Sequence, residues 1–231
     1  MSLKPGKKGD ANRAWNVRRK GEKAYSSAIK PINRTFLIVC EGKNTEPEYF
    51  RKFPVQSVEI IVKGMGRSKS SLVNEAKRLK AEPDFKGAEV WCVFDYDHKP
   101  DEADSQPADF NGAIEDATKS GIQVAWSNDS IELWFLLHYQ YLDTALEREG
   151  YYPILKDVWG LESFSNEAKT RSFCENLYDL LNEGPANQAQ AIERAKRLDE
   201  EHMTTGAPYH QRCPCTTIYR LVETLNAYIK N

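Results

Sequence analysis

Four short apolar runs, at residues 36–40, 58–62, 89–94 and 122–126, constrain this chain more than any other feature. Each is apolar almost throughout rather than alternating with polar residues, so each predicts a strand buried on both faces. Helical stretches separate them. Thr45 would cap a helix starting near Glu46, with Pro47 at its first position and Glu48 completing a capping box. A glycine- and serine-rich turn, "KGMGRSKSS" at 63–71, leads into a helix over 72–80 stopped by Pro83. The segment 101–120 is acidic at its start and helical towards its end. "SNDSIELWFLLHYQYL" at 127–142 follows the fourth run and begins a strongly apolar helix, whose Trp134, Phe135 and Leu136 read as core. Strands alternating with helices predict an α/β fold with a mostly parallel sheet of about four strands. After about Tyr141 no further strand is expected. Residues 166–182, 187–201 and 216–229 read as helices, the last capped by Thr216 or Thr217.

With 231 residues and 40% apolar side chains, the chain can fill one substantial core. Three regions are expected: a basic tail at 1–33, an α/β core at 34–140 and a helical extension at 141–231. Residues 1–23 hold eight Lys or Arg against Asp10 and Glu22, while the rest of the chain carries 24 basic and 32 acidic residues. A basic tail on an acidic body suits a polyanion partner, and it equally suits a solubilising arm. Cys40, Cys92 and Cys174 read as small buried thiols. Cys213 and Cys215 straddle Pro214 without a second Cys or His pair at zinc spacing. No run approaches the ~20 residues needed to cross a membrane, and no signal-peptide pattern opens the chain. A reducing cytoplasm is the expected compartment.

The strands end in acids. Glu41 follows the first, and Asp95 and Asp97 follow the third. In an open parallel sheet these ends share one edge, where ligands gather. Period-two spacing would point Asp95 and Asp97 the same way. Carboxylates that lose water beside a core need a positive partner. That partner is either Lys43, Lys63 or Lys99, a neighbouring helix N-terminus, or a divalent cation, since hard cations take oxygen ligands.

"VCEGKNTEPEYF", "VWCVFDYDH", "SNDSIELWFLLHY" and "CPCTTIYRLVETL", in this order, resemble the RloB family of bacterial phage-defence proteins. The resemblance runs from about Thr35 to Leu225. It implies a Toprim-like core, the fold shared by type IA and II topoisomerases, bacterial primases and overcoming-lysogenization-defect nucleases. It places Glu41 at the Toprim glutamate, Asp95 and Asp97 at the metal-binding aspartates, and Gly42 at the small residue that keeps the turn open. It implies Mg²⁺ (or Mn²⁺) and phosphodiester chemistry on DNA or on tRNA or other RNA, in the company of an AAA-type ATPase. Thr216, Thr217 and Arg220 match the C-terminal string, whereas Cys213 departs from the Asn expected before Pro214.

Further residues extend the candidate site. Glu132 would be a fourth carboxylate for a second metal, or with Asp129 an acidic variant of a capping box. Asn128 reads as a helix cap or a ligand contact, and His98 as a phosphate contact or a surface residue. Lys43 and Arg67 would counter phosphate charge. The Gly64-x-Gly66 pair lacks the remaining residues of a dinucleotide fingerprint or a P-loop. The leading expectation is a Mg²⁺-dependent nuclease with Glu41, Asp95, Asp97 and Glu132 as catalytic residues. The alternatives are a nucleotide phosphoryl- or nucleotidyl-transfer enzyme and a non-catalytic module partnering the ATPase.

Overall fold

In the first strand, β1 (Arg34–Cys40), every residue from Phe36 to Cys40 is buried. The computed structural model describes residues 34–56, 58–66, 68–99 and 105–229. The tail expected at 1–33 therefore lies outside the described residues. After β1 come α1 (Thr45–Arg51), β2 (Val58–Gly64), α2 (Lys69–Lys80), β3 (Glu89–Asp95), α3 (Gln106–Lys119) and β4 (Gln123–Asn128). The remainder is α4 (Glu132–Leu137), α5 (Arg148–Trp159), three single turns α6 (Phe164–Glu167), α7 (Arg171–Cys174) and α8 (Leu177–Leu180), then α9 (Gln188–Thr205), β5 (Cys215–Thr216) and α10 (Ile218–Asn226).

The sheet has the order β2-β1-β3-β4-β5. The first four strands are parallel, with Phe36 opposite Ile60, Ile38 opposite Trp91 and Val93 opposite Ala125. Successive side chains of a strand point to opposite faces, and both faces are covered. Leu37, Val39, Cys92 and Phe94 pack against Leu72, Val73 and Ala76 of α2 and Phe110 and Ile114 of α3. Phe36, Ile38 and Val93 pack in the larger cluster with Tyr49 and Phe50 of α1, all of α4 from Leu133, and Leu221, Val222 and Leu225 of α10. β2 is the exception to full burial: as an edge strand it is only half-buried.

Several expectations need correction. A fifth strand exists, β5, antiparallel to β4 through Ser127 with Thr216 and Asn128 with Cys215. Two residues are too short a run to carry a periodicity. The segment 166–182 is not one helix but includes the single turns α6, α7 and α8, and α5 was not anticipated because Gly150 and Pro153 break its pattern. The apolar stretch after β4 is helical only over α4, though every residue of that helix is buried. Helix α1 starts at Thr45 without a side-chain cap, and Glu48 binds Arg51 and Arg171 rather than closing a capping box. Thr217 is the N-cap position of α10, yet its hydroxyl accepts from the Trp126 N–H at 2.8 Å and so serves β4. Cys40, Cys92, Cys174 and Cys215 are buried free thiols. No described helix is long and apolar enough to cross a membrane.

Candidate active site

The sheet order reverses direction between β1 and β3: the chain moves from β1 outward to β2, then returns to β3 and continues to β4. Such a reversal opens a crevice at the carboxyl ends of the two strands. Glu41 stands just past β1, its N–H donating to Val93 O at 2.8 Å, and Asp95 is the last residue of β3. The Asp95 N–H points at Glu41 Oε2, 3.4 Å away. A cavity of about 240 Å³ opens there, lined by Glu41, Gly42, Thr45, Glu46, Asp95, Asp97, Ile131, Glu132, Arg148 and Lys169.

Asp95 is the most exceptional group. Its Oδ2 accepts the Ile131 N–H at 3.0 Å, while Oδ1 is shielded from solvent and has no hydrogen-bond partner among the described residues. Burial, and then the carboxylates of Glu46, Glu132 and Glu41, push its pKa well above the usual range; the Ile131 N–H pulls weakly the other way. Glu46, buried in the first turn of α1, is raised to about 7 by burial first and then by Glu132 and Glu41, against its own N–H and Lys169. Gly42 makes room for it. A Cβ at position 42 would land on the Glu46 carboxylate.

Three basic side chains answer three of the acids. The Lys69 ammonium lies 3.4 Å from Glu41 Oε1, Lys169 pairs with Glu132, and Arg148 pairs with Asp97. Asp97 adopts φ 55°, a left-handed conformation that Asp tolerates better than most residues. The extended conformation expected through Asp97 is corrected: the backbone turns there and the Asp97 carboxylate meets Arg148, while Asp95 and Asp97 line the same cavity. Asp129 fixes this turn, accepting from His98 N at 2.6 Å and Arg148 N at 3.1 Å. It therefore does not form a capping box with Glu132, which is 3% exposed and faces the cavity. Among the described residues no three His, Cys, Asp or Glu side chains converge closely enough to hold a metal ion as they stand. The chemistry of the donor set nevertheless suits a hard cation: the lining acids offer only oxygen, and one shielded oxygen has no partner among the described residues.

A family model described as RloB-like protein matches residues 36–225, which reach from β1 into α10 and include every residue of this cavity. The chain belongs to the RloB-like protein family. Comparisons with curated proteins and with solved structures find no match.

Other expected site residues are scattered around this family member's cavity. Lys43 is exposed and runs beside Gly66, whose φ of 60° and missing side chain accommodate it. His98 is exposed, stacks on Tyr96 and lines a separate cavity with Asn128, His210 and Cys213. Asn128 is buried and donates to His210 O at 2.8 Å, a structural tie to the C-terminal region. Arg67 lies outside the described residues. Thr216 bonds Ser127 at 2.9 Å and Arg220 bonds Asp199 at 2.6 Å, so these two positions, like Thr217, serve the fold. Sequence reasoning missed Glu46, Lys69, Arg148 and Lys169. Glu46 had a signal, since it sits one helical turn beyond the Glu41-Gly42 turn; Arg148 opens a helix that was not foreseen, and Lys169 lies in a segment read as one continuous helix.

Proposed function

We propose that this RloB-like protein is a divalent-metal-dependent phosphodiesterase that cuts nucleic acid, DNA or RNA, in bacterial phage defence. The observation that carries this reading is the shielded, unpartnered Asp95 Oδ1 in a cavity ringed by Glu41, Glu46 and Glu132 at the reversal point of the sheet. Burial first, and then repulsion among these crowded acids, raises the pKa of Asp95 and of Glu46. Asp95, Glu46 and Glu132 would hold the cation, with Asp97 joining when Arg148 releases it. When bound, Mg²⁺ or Mn²⁺ would supply Lewis acidity towards a phosphoryl oxygen. Arg148, freed from Asp97, offers a planar fork of donors to a phosphate. Glu41, half-buried at the cavity mouth, accepts a proton from the attacking water. The defence setting follows from the family resemblance alone.

The reading is tested by calorimetric titration of Mn²⁺ and Mg²⁺ into the protein and into Asp95→Ala, together with cleavage of plasmid, single-stranded DNA and tRNA. Saturable binding and cutting, both lost in Asp95→Ala, are expected. Absence of saturable metal binding in the parent overturns the reading.

A second reading has its own support. Because Lys69, Lys169 and Arg148 already pair with Glu41, Glu132 and Asp97, the cluster also suits a non-catalytic module whose charges are settled internally, beside an AAA-type ATPase. Metal binding that leaves every polymer intact, with or without such a partner, favours it; turnover of free nucleotides instead favours phosphoryl or nucleotidyl transfer.

A further inference from the structure

A second cavity, of about 580 Å³, adjoins the first, with Glu41 as the common wall. That volume is in the range of small-molecule sites and accommodates a nucleotide unit. Its lining is less acidic than its neighbour's, with Lys69 and Lys99 set against Glu41 and Asp109. Lys69 is only 6% exposed, and among the described residues its ammonium has Glu41 as its hydrogen-bond partner, at 3.4 Å. Charge-assisted bonds normally close to about 2.7–2.9 Å. A buried ammonium held this loosely is poorly compensated for its lost hydration, and a phosphate oxygen entering the cavity supplies the closer partner.

Lys99 stands on another wall, and its backbone is fixed. Its N–H donates to Gln106 Oε1 at 2.9 Å, and Gln106 Nε2 donates in turn to Tyr96 O at 2.9 Å and Asp97 O at 2.5 Å. Gln106, itself buried, thus ties Lys99 to the turn that carries Asp95 and Asp97. Ser68 brings the start of α2 to the same cavity, and the first turn of that helix carries no acid, so its N–H groups add to the positive wall. The acids present are Glu41, which the Lys69 ammonium faces at 3.4 Å, and Asp109, which takes the Ser70 hydroxyl.

We infer that this cavity binds the phosphodiester next to the one that reacts, with Lys69 and Lys99 as its cationic contacts. The inference rests on the phosphodiester reading above and assigns the direction in which the strand leaves the site, from Glu41 towards the start of α2.

The test is fluorescence anisotropy of labelled single-stranded DNA and RNA of one sequence, about 12 nucleotides long, titrated with the full chain in EDTA across a salt series. Lys69→Ala and Lys99→Ala each weaken binding several-fold and flatten the slope of log affinity against log salt by about 0.7, the value of one single-strand phosphate contact. Lys69→Arg keeps the slope, which separates a lost charge from a disturbed fold. Lys119→Ala, on an exposed surface beside Glu115, leaves the slope unchanged. The difference between the DNA and RNA arms names the preferred backbone. Parent slopes in both cavity variants overturn the inference, as does a parent that binds neither strand. Strands that bind through these lysines but stay intact when Mn²⁺ is added leave the groove standing and remove only the nuclease reading.

Discussion

Glu46 and His138 set opposite pH dependences at the scale of single residues. Glu46 in the fold has its pKa raised from 4.5 to about 7. The folded state therefore binds the proton more tightly than the unfolded chain, so its share of stability is full below about 4.5 and is lost as pH rises through about 7. In metal-free protein, Glu46→Gln should accordingly be more stable than the parent at pH 8, by up to about 3 kcal/mol, and little changed near pH 4; urea unfolding at the two pH values checks this. His138 behaves in the other sense. Burial lowers its pKa from 6.5 to about 4, its Nδ1 meets Trp134 O at 2.9 Å, and its buried Nε2 has no partner among the described residues. Its contribution is full above about 6.5 and is lost as pH falls towards about 4. His138→Phe should flatten that acid limb in the same unfolding series. A third expectation concerns Gly42: Gly42→Ala drives a methyl group into the Glu46 carboxylate and should lower Mn²⁺ affinity about tenfold or more with the circular dichroism unchanged. Glu41, Asp95 and Glu132 were legible in the sequence because they follow apolar runs or open an apolar helix. Glu46 was hidden by its own plausibility as an ordinary first-turn glutamate.

Among the elements, α9 and α10 are joined by a polar staple rather than by apolar contact alone. Asp199, buried on α9, accepts from Tyr219 Oη at 2.8 Å and Arg220 Nη2 at 2.6 Å on α10. Asp199→Ala leaves the buried Tyr219 hydroxyl and the half-exposed Arg220 guanidinium without their carboxylate and should cost about 1–3 kcal/mol, read as a lower denaturation midpoint. Elements with a strong repeating pattern were legible: β1 and β3 from unbroken apolar runs, α10 from Ile218, Leu221, Val222 and Leu225 on one stripe. The others failed for physical reasons. β5 has two residues, and α6, α7 and α8 four each, too few for a period to emerge. Gly150 and Pro153 disguised α5, where tertiary packing of the buried Tyr151 and Leu155 overrides weak local propensity. The cost of that blindness fell on the site, since Arg148 opens α5 and Lys169 follows α6.

For the whole molecule, the charge asymmetry read from the sequence sets a further expectation. Among the described residues the five strands and the helices on both faces of the sheet follow residue 33, so deleting residues 1–33 keeps all of them. The deletion removes eight Lys or Arg among residues 1–23 and should weaken nucleic-acid binding while flattening its salt dependence; anisotropy across a salt series checks both. The fold also bears on biogenesis. Thr216, which seals the outer margin of β4, follows Ser127 by 89 residues. During synthesis that margin emerges early and stays unpaired while the intervening stretch is made, and the late, long-range closure is intrinsically slow. The nascent polypeptide therefore carries an adhesive rim through much of its elongation, so its yield in the cell should depend on chaperone capacity and growth temperature more than the finished protein's stability would suggest.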